Sequence, residues 1–403
     1  MLMVGLPGVV SLPFSFMLKN KLHLTAQGMS LYGLVVTIPV YLSFLQGYAR
    51  DVWNPLGRRD RGFMILFSFL AAGAGAIFAF VPVSVLSLGA AAIVISFLGL
   101  FISSAQIGLT AVVARQNVMS GQISALWNIV SSLPIIIAML IGGSLSQALR
   151  PMDDQSEMRL LFLTSAALTA AIACFAFWRP AYVYDHVHAE HAPKLHLWAD
   201  VKRFVRHWPV YPALLIWALW NFAPGSGVPL QYHMQDHLHG TDAQWGQWQA
   251  IFTVSFIPTF LLYGLLCRRL NLGWLIVIGT VIGVPQMVPL LFIHSATGAL
   301  IAAAPIGLMG GLCSAAYYDL LIRSCPKGLE GTMLMFSTSL YWLITRAGDV
   351  LGSWLFERFH GFSVCVVAIT IVYAAILPVL LLVPRRLLAT PDGVAVPGGF
   401  DAG

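Results

Sequence analysis

Charged side chains are scarce in this sequence: Asp, Glu, Lys and Arg make up 9% of 403 residues, against 58% hydrophobic. A soluble domain usually carries about a quarter charged residues. With so few, a water-soluble fold has too little polar surface to cover its apolar side chains. Also lacking is a Gly-x-x-x-x-Gly-Lys-[Ser/Thr] phosphate loop, which argues against ATP hydrolysis by this chain. The N-terminus has no basic segment leading to a small-residue cleavage site, so no secretory signal peptide is expected. Cys174, Cys267, Cys313, Cys325 and Cys365 have neither metal-ligand spacing nor a disulfide framework and read as inert buried thiols. No metal and no other cofactor is expected. The net charge of +6 does not point to nucleic acid, because the basic residues sit in short clusters between apolar blocks.

What the chain has is length and oiliness. Mean hydropathy is +0.81, and the apolar residues come in blocks of roughly twenty, enough for a helix to cross a ~30 Å hydrocarbon layer. Barrel strands are shorter and alternate in polarity, so an all-α polytopic membrane protein is expected. About twelve transmembrane helices are read, near 1–19, 28–50, 62–82, 84–114, 121–148, 158–178, 209–233, 244–267, 272–293, 297–323, 331–356 and 361–384. Pro7 and Pro13 predict a bent first helix. Alternate loops hold most of the basic residues, among them Arg50, Arg58, Arg59, Arg61, Arg115, Arg179, Lys202 and Arg268. The other loops hold only Lys19, Lys21, Arg150, Arg159 and Arg358. That bias places the first set and both termini in the cytoplasm, with the chain in the inner (cytoplasmic) membrane.

The longest connection divides the chain. The expected organisation is a six-helix bundle over 1–178, a cytoplasmic linker over 179–208, a second bundle over 209–384 and a cytoplasmic tail over 385–403. Leu197, Val201, Phe204 and Trp208 share one helical face of the linker among Lys194, Lys202, Arg203 and Arg206, as in a helix lying on a membrane surface. The two halves repeat one another. Pro7-Gly8, Pro13, Leu22-His23-Leu24-Thr25 and Gly47 correspond to Pro224-Gly225, Pro229, Leu238-His239-Gly240-Thr241 and Gly264, at an offset of about 216 residues.

The loop after the second span reads Gly47-Tyr48-Ala49-Arg50-Asp51, then Gly57-Arg58-Arg59-Asp60-Arg61-Gly62. It resembles the cytoplasmic signature of the major facilitator superfamily, in which a glycine, an acidic residue and a Gly-Arg-Arg group join helices two and three. The wider spacing here, with Pro55 inside it, is similar to the folate-biopterin transporter and muropeptide permease branches. A second segment, Cys325-Pro326-Lys327-Gly328-Leu329-Glu330-Gly331-Thr332, resembles the stretch before helix eleven of folate-biopterin transporters. The resemblance implies two pseudo-symmetric six-helix bundles and a cytoplasmic gate made by Gly47, Asp51, Gly57, Arg58 and Arg59. Physically, Asp51 could accept from free N–H groups at the start of span eleven, near Gly331 and Thr332. Arg61 reads as a charge that only sets topology.

Three ionisable residues fall inside predicted spans: Asp319, Arg346 and Asp349. Such charges face a cavity or a partner. Arg346 and Asp349, three apart, share a helical face, and Asp319 precedes Arg323 by one turn. Each acid is either half of a local ion pair or a proton-coupling carboxylate. Polar and aromatic residues within spans are pocket candidates: Gln106, Trp127, Asn128, Trp220, Asn221, Tyr317, Tyr341 and Trp342. Their rings stack on flat or sugar-containing solutes and their amides both donate and accept. The histidines at 186, 188, 191 and 196, and at 233, 237 and 239, read as solvated or interfacial.

The leading expectation is a proton-coupled secondary transporter of a small organic solute, working by alternating access, not an enzyme, and acting as a monomer in the lipid bilayer. The alternatives are a non-transporting assembly factor of the same fold, or a membrane transferase built on the His233–His239 region with Asp236.

Overall fold

The computed structural model describes residues 9–116, 120–178, 202, 206–267, 269–324 and 330–389. For residues 48, 51–52, 59, 107–116, 120–131, 175, 178, 322 and 330–335 the description stops at the backbone. Every regular element among the described residues is helical. Helix satisfies each backbone group within its own segment, which is what a hydrocarbon solvent demands. The linker reading over 179–208 falls mostly outside the described residues.

The chain forms two compact units, Met1–Pro193 with Thr241–Ala250, and Lys194–Gly240 with Ile251–Gly403. The first contains α1 (Ser11–Phe16), which runs on as a π-helical turn (Met17–Lys21), then α2 (Ala26–Val36), α3 (Ile38–Tyr41) and α4 (Ser43–Val52). It continues with α5 (Arg59–Phe78), α6 (Val85–Gln116), α7 (Ser120–Leu149) and α8 (Asp154–Trp178). The second span is thus broken into α2, α3 and α4. Thr37 Oγ1 donates back to the Gly33 carbonyl at 2.7 Å, and Pro39 follows in the first turn of α3. Back-bonding hydroxyls and prolines both interrupt the amide ladder. Helix α5 packs along α6 and α8. Its Phe63 and Phe67 stack on Phe101 of α6 with centroids 6.1 and 4.1 Å apart, contacts worth about 0.5–1.5 kcal/mol each beyond area burial.

The second unit holds α9 (Val210–Asn221), α10 (Val228–Tyr232) with its π-helical turn (His233–His237), and most of α11 (Asp242–Leu266). Then follow α12 (Leu272–Gly283), α13 (Ala296–Arg323), α14 (Glu330–Phe359), α15 (Phe362–Ala374), α16 (Ile376–Val379) and α17 (Arg385–Leu388). Helix α9 lies against α13 and α14, and α12 against α13.

Among the described residues, eight helices are long and apolar enough to cross a membrane, and two more, Ala26–Val36 and Val210–Asn221, are apolar but short. The shortfall from twelve has local causes. Spans two and seven are interrupted, α1 is described only from residue 9, and α14 carries Arg346, Asp349, Glu357 and Arg358.

The repeat read from the sequence has a backbone counterpart. The π-helical turns Met17–Lys21 and His233–His237 occupy matching places. Leu22 N–H donates to Met17 O at 3.0 Å, and Leu238 N–H to His233 O at 3.1 Å. His23 (φ 52°) and His239 (φ 54°) then adopt the left-handed conformation. Thr25 accepts from Gly28 N–H at 3.1 Å and Thr241 from Gln244 N–H at 3.2 Å, each opening the next helix as its N-cap.

Span seven breaks between α9 and α10, at Phe222–Gly227. Gly225 has φ +121° there, and a Cβ at this position would run into Cys365. Replacing Gly225 with Ala combines backbone strain of roughly 1–3 kcal/mol with that clash. The expected outcome is a melting temperature in detergent lowered by several degrees, read by tryptophan fluorescence, whereas Gly73→Ala, in open space, leaves it unchanged.

Candidate functional site

The break in span seven is held by α14. A Cβ on Gly352 would strike the Gly225 amide, and one on Gly227 would strike the Asp349 carboxylate. The glycine pair Gly348 and Gly352, one residue before Asp349 and three after it, therefore serves close approach of α14 to the broken backbone. Asp349 is buried. Its Oδ1 accepts from Val228 N–H, the first residue of α10, at 3.4 Å. Its Oδ2 accepts from Arg346 Nη1 at 3.1 Å. A carboxylate is thus plugged into the start of a half-helix and neutralised by an arginine one turn away.

Arg346 is half-buried and stands over the Trp342 ring, 5.6 Å from its centroid, a cation–π contact. Trp342 meets Tyr341 edge-on at 5.4 Å. Tyr341 lies 6.4 Å from Trp217 of α9, which lies 5.8 Å from Tyr318 of α13. Trp217 Nε1 donates to the Ser337 carbonyl at 3.4 Å. Asn221, one turn on from Trp217, donates its amide to the Trp217 carbonyl at 2.7 Å. All of these side chains are half-buried. They form a wall of aromatic faces with one amide and one ion pair. Trp217 and Tyr318 were not among the pocket candidates. The i, i+4 spacing of Trp217 and Asn221 was the signal that could have found Trp217.

Trp220 and Tyr317 belong to a different cluster. Both are buried; Tyr317 meets Trp220 at 5.4 Å, Trp220 stacks on Tyr373 at 4.5 Å, and the Tyr317 hydroxyl shares a 2.6 Å hydrogen bond with Thr280. That is a packed centre for α9, α12, α13 and α15. Gln106 is half-buried on α6. Trp127 and Asn128 lie on α7, with side chains outside the described residues.

Asp319 is held by three bonds. Arg323 Nε and Nη2 donate to its two oxygens at 2.9 Å each, and Tyr263 Oη of α11 donates to Oδ2. The fork geometry is that of a bidentate arginine–carboxylate pair.

In the loop between α4 and α5, Gly57 has φ +63° at the end of a 3-10 turn (Pro55–Gly57), and Arg58 is exposed. Gly47 lies in α4. The side chains of Asp51 and Arg59 lie outside the described residues, as do those of Glu330 and Gly331, and Pro326 altogether. A pair not singled out from the sequence organises the loop. Arg50 Nε and Nη2 donate to Asp60 at 2.7 and 3.0 Å. Arg61 does more than set topology, because its Nε donates to the Ala176 carbonyl at 3.0 Å, in the last turn of α8.

The comparisons with known proteins fit this arrangement. The family model of the Major Facilitator Superfamily matches residues 2–348. The chain belongs to the Major Facilitator Superfamily. No curated protein matches it in sequence. Among solved structures, the nucleoside transporter NupG aligns at 13% identity with a TM-score of 0.65, over 94% of this chain and 96% of its own. A mutant of NupG aligns at 13% and 0.69, over 95% and 97%. A bacterial homologue of the iron transporter ferroportin, in an inward-facing state, aligns at 16% and 0.62, over 94% and 97%. At such identities the likeness is one of fold. This superfamily member is a multi-pass membrane protein of a transporter family.

The Arg50–Asp60 pair is largely shielded from water, so removing one partner strands the other charge, at roughly 3–5 kcal/mol. Asp60→Ala is expected to lower the melting temperature more than the double variant Asp60→Ala/Arg50→Ala does. A double variant whose loss equals the sum of the Asp60→Ala and Arg50→Ala losses would show that the pair is not coupled.

Proposed function

We propose that this superfamily member is a secondary active transporter that moves a small organic solute carrying a flat ring, by alternating access, with Asp349 as the proton-coupling carboxylate. The observation that carries the reading is the half-buried wall of Trp217, Tyr318, Tyr341 and Trp342, closed by the Arg346–Asp349 pair beside a broken helix. Discontinuous helices in transporters expose backbone groups where solute and coupling ions bind. Aromatic faces stack on a planar heterocycle, and Asn221 can read its edge. The folate-biopterin resemblance and the nucleoside specificity of NupG both point to solutes of this kind.

Asp349 suits coupling better than Asp319. A proton on Asp349 neutralises the acceptor that holds both the start of α10 and Arg346, so one protonation frees a half-helix and a cation together. Asp319 has both oxygens occupied by an arginine fork and a tyrosine, which favours a structural role. We place the protein in the inner membrane as a monomer with both termini cytoplasmic, following its basic-loop bias.

The test uses purified protein in proteoliposomes with radiolabelled nucleosides, pterins, sugars, muropeptides and peptides. One of the ring-bearing solutes is expected to accumulate against its gradient and to leak out when a protonophore is added. Asp349→Asn, a mimic of the protonated acid, is expected to keep counterflow while losing accumulation by about tenfold or more. Wild-type accumulation by Asp349→Asn under a proton gradient would sink the assignment.

A further inference from the structure

The last helix, α17 (Arg385–Leu388), follows span twelve and packs against α12 and α13. Its leucines do the docking. Leu387 is buried, and Leu388 lies so near α12 that a Cβ on Gly273 would come within 3.2 Å of the Leu388 Cβ. Arg385 and Arg386 are both exposed. The element is thus clamped to the protein by its apolar half and turns a cationic half outward.

What that half faces is set by α12. Trp274, Val277, Ile278 and Val281 are exposed and recur at helical spacing, while Leu272, Leu275, Ile276 and Gly279 are buried. The segment Leu272–Phe292 is long and apolar enough to cross a membrane, so its exposed stripe faces lipid. Trp274 ends that stripe in the first turn of α12, 64% exposed, the place an indole takes at headgroup level. Leu381 and Leu382, just before α17, are 87% and 57% exposed. Leu388 touches the residue next to Trp274, so the arginines of α17 lie at headgroup level beside an acyl-chain surface. Arg269, four residues before Gly273, is exposed as well.

The chemistry of these side chains indicates the occupant. Elsewhere in the chain, arginines close on acids: Arg50 on Asp60, Arg323 on Asp319 and Arg346 on Asp349. Among the described residues, Arg269, Arg385 and Arg386 have no acidic partner, and the segments 267–273 and 380–389 contain neither Asp nor Glu. Guanidinium forks match phosphate oxygens in geometry and charge. A basic cluster at the ends of spans, edged by exposed apolar side chains, suits a phospholipid whose phosphate meets the arginines while its chains follow the stripe. A zwitterionic headgroup would bring a further cation against three cations already there, so an anionic headgroup fits better.

We propose that α17 and the start of α12 form a binding site for an anionic phospholipid. Its phosphate sits on Arg385 and Arg386 with Arg269, and its chains lie along Trp274 and Leu381. None of these residues belongs to the aromatic wall, so this binding is measured without any transport activity.

The test is native mass spectrometry of the full-length protein in detergent, titrated with phosphatidylglycerol and, separately, with phosphatidylcholine. Phosphatidylglycerol is expected to bind about tenfold or more tighter. The double variant Arg385→Gln/Arg386→Gln and, separately, Arg269→Gln are each expected to cut that preference by about threefold or more. Arg358→Gln removes an exposed charge at the end of α14 and is expected to leave the preference unchanged. Equal affinity for the two lipids, the wild-type preference in the double variant or in Arg269→Gln, or an equal loss in Arg358→Gln overturns the proposal.

Discussion

A helix that stops inside a hydrocarbon layer leaves amides and carbonyls that water cannot reach, and something in the protein must take them. In this chain that burden falls on Asp349. It accepts from the first amide of α10, and Gly348 and Gly352 let α14 approach the unwound backbone at Ala223–Gly225. The carboxylate cannot stay there uncompensated, so Arg346 sits one turn before it, and Arg346 in turn lies over Trp342. One broken helix therefore brings together a buried acid, a cation and an aromatic wall. In the function proposed above, the acid closing the break is also the acid a proton neutralises, so structural closure and coupling would fall on one side chain.

The same economy appears wherever charge enters the apolar body. Asp319 is bound by an arginine fork and a tyrosine. Asp60 is bound by an arginine fork from Arg50, and Glu157 by Lys21. In each case a neighbour within 3 Å supplies what lost solvent would have supplied.

Duplication explains why two corners of the fold look alike while carrying different side chains. The π-helical turn, the left-handed histidine and the threonine cap recur in both halves. These are backbone devices that turn the chain at the end of a span, and they constrain only a few side chains. Lys21 and His237 sit at matching places with different chemistry, so the halves keep a common path while their side chains diverge.

Several features were legible in the sequence because they depend on composition and local spacing. Scarce charge and long apolar blocks required membrane helices; the repeat offset, the Gly-Arg-Arg loop and the Arg346–Asp349 spacing each need only a few neighbouring residues. Arg50–Asp60 and Arg61–Ala176 were not legible in the same way. Their choice of partner depends on where α4, α5 and α8 end relative to one another, and a charge near a helix end has several acceptors within a side chain's length. The division of the aromatic residues was equally hidden: Trp220 and Tyr317 face a packed centre and Trp217 and Tyr341 a half-open wall, although Trp217 and Trp220 are three residues apart. Sequence by itself determined that the chain is a bundle of membrane helices in two related halves, because hydrocarbon acts on every residue alike. Only the tertiary structure decided which polar groups meet, because that is set by the phase of each helix and by how α14 packs against the break at Phe222–Gly227, which local spacing does not encode.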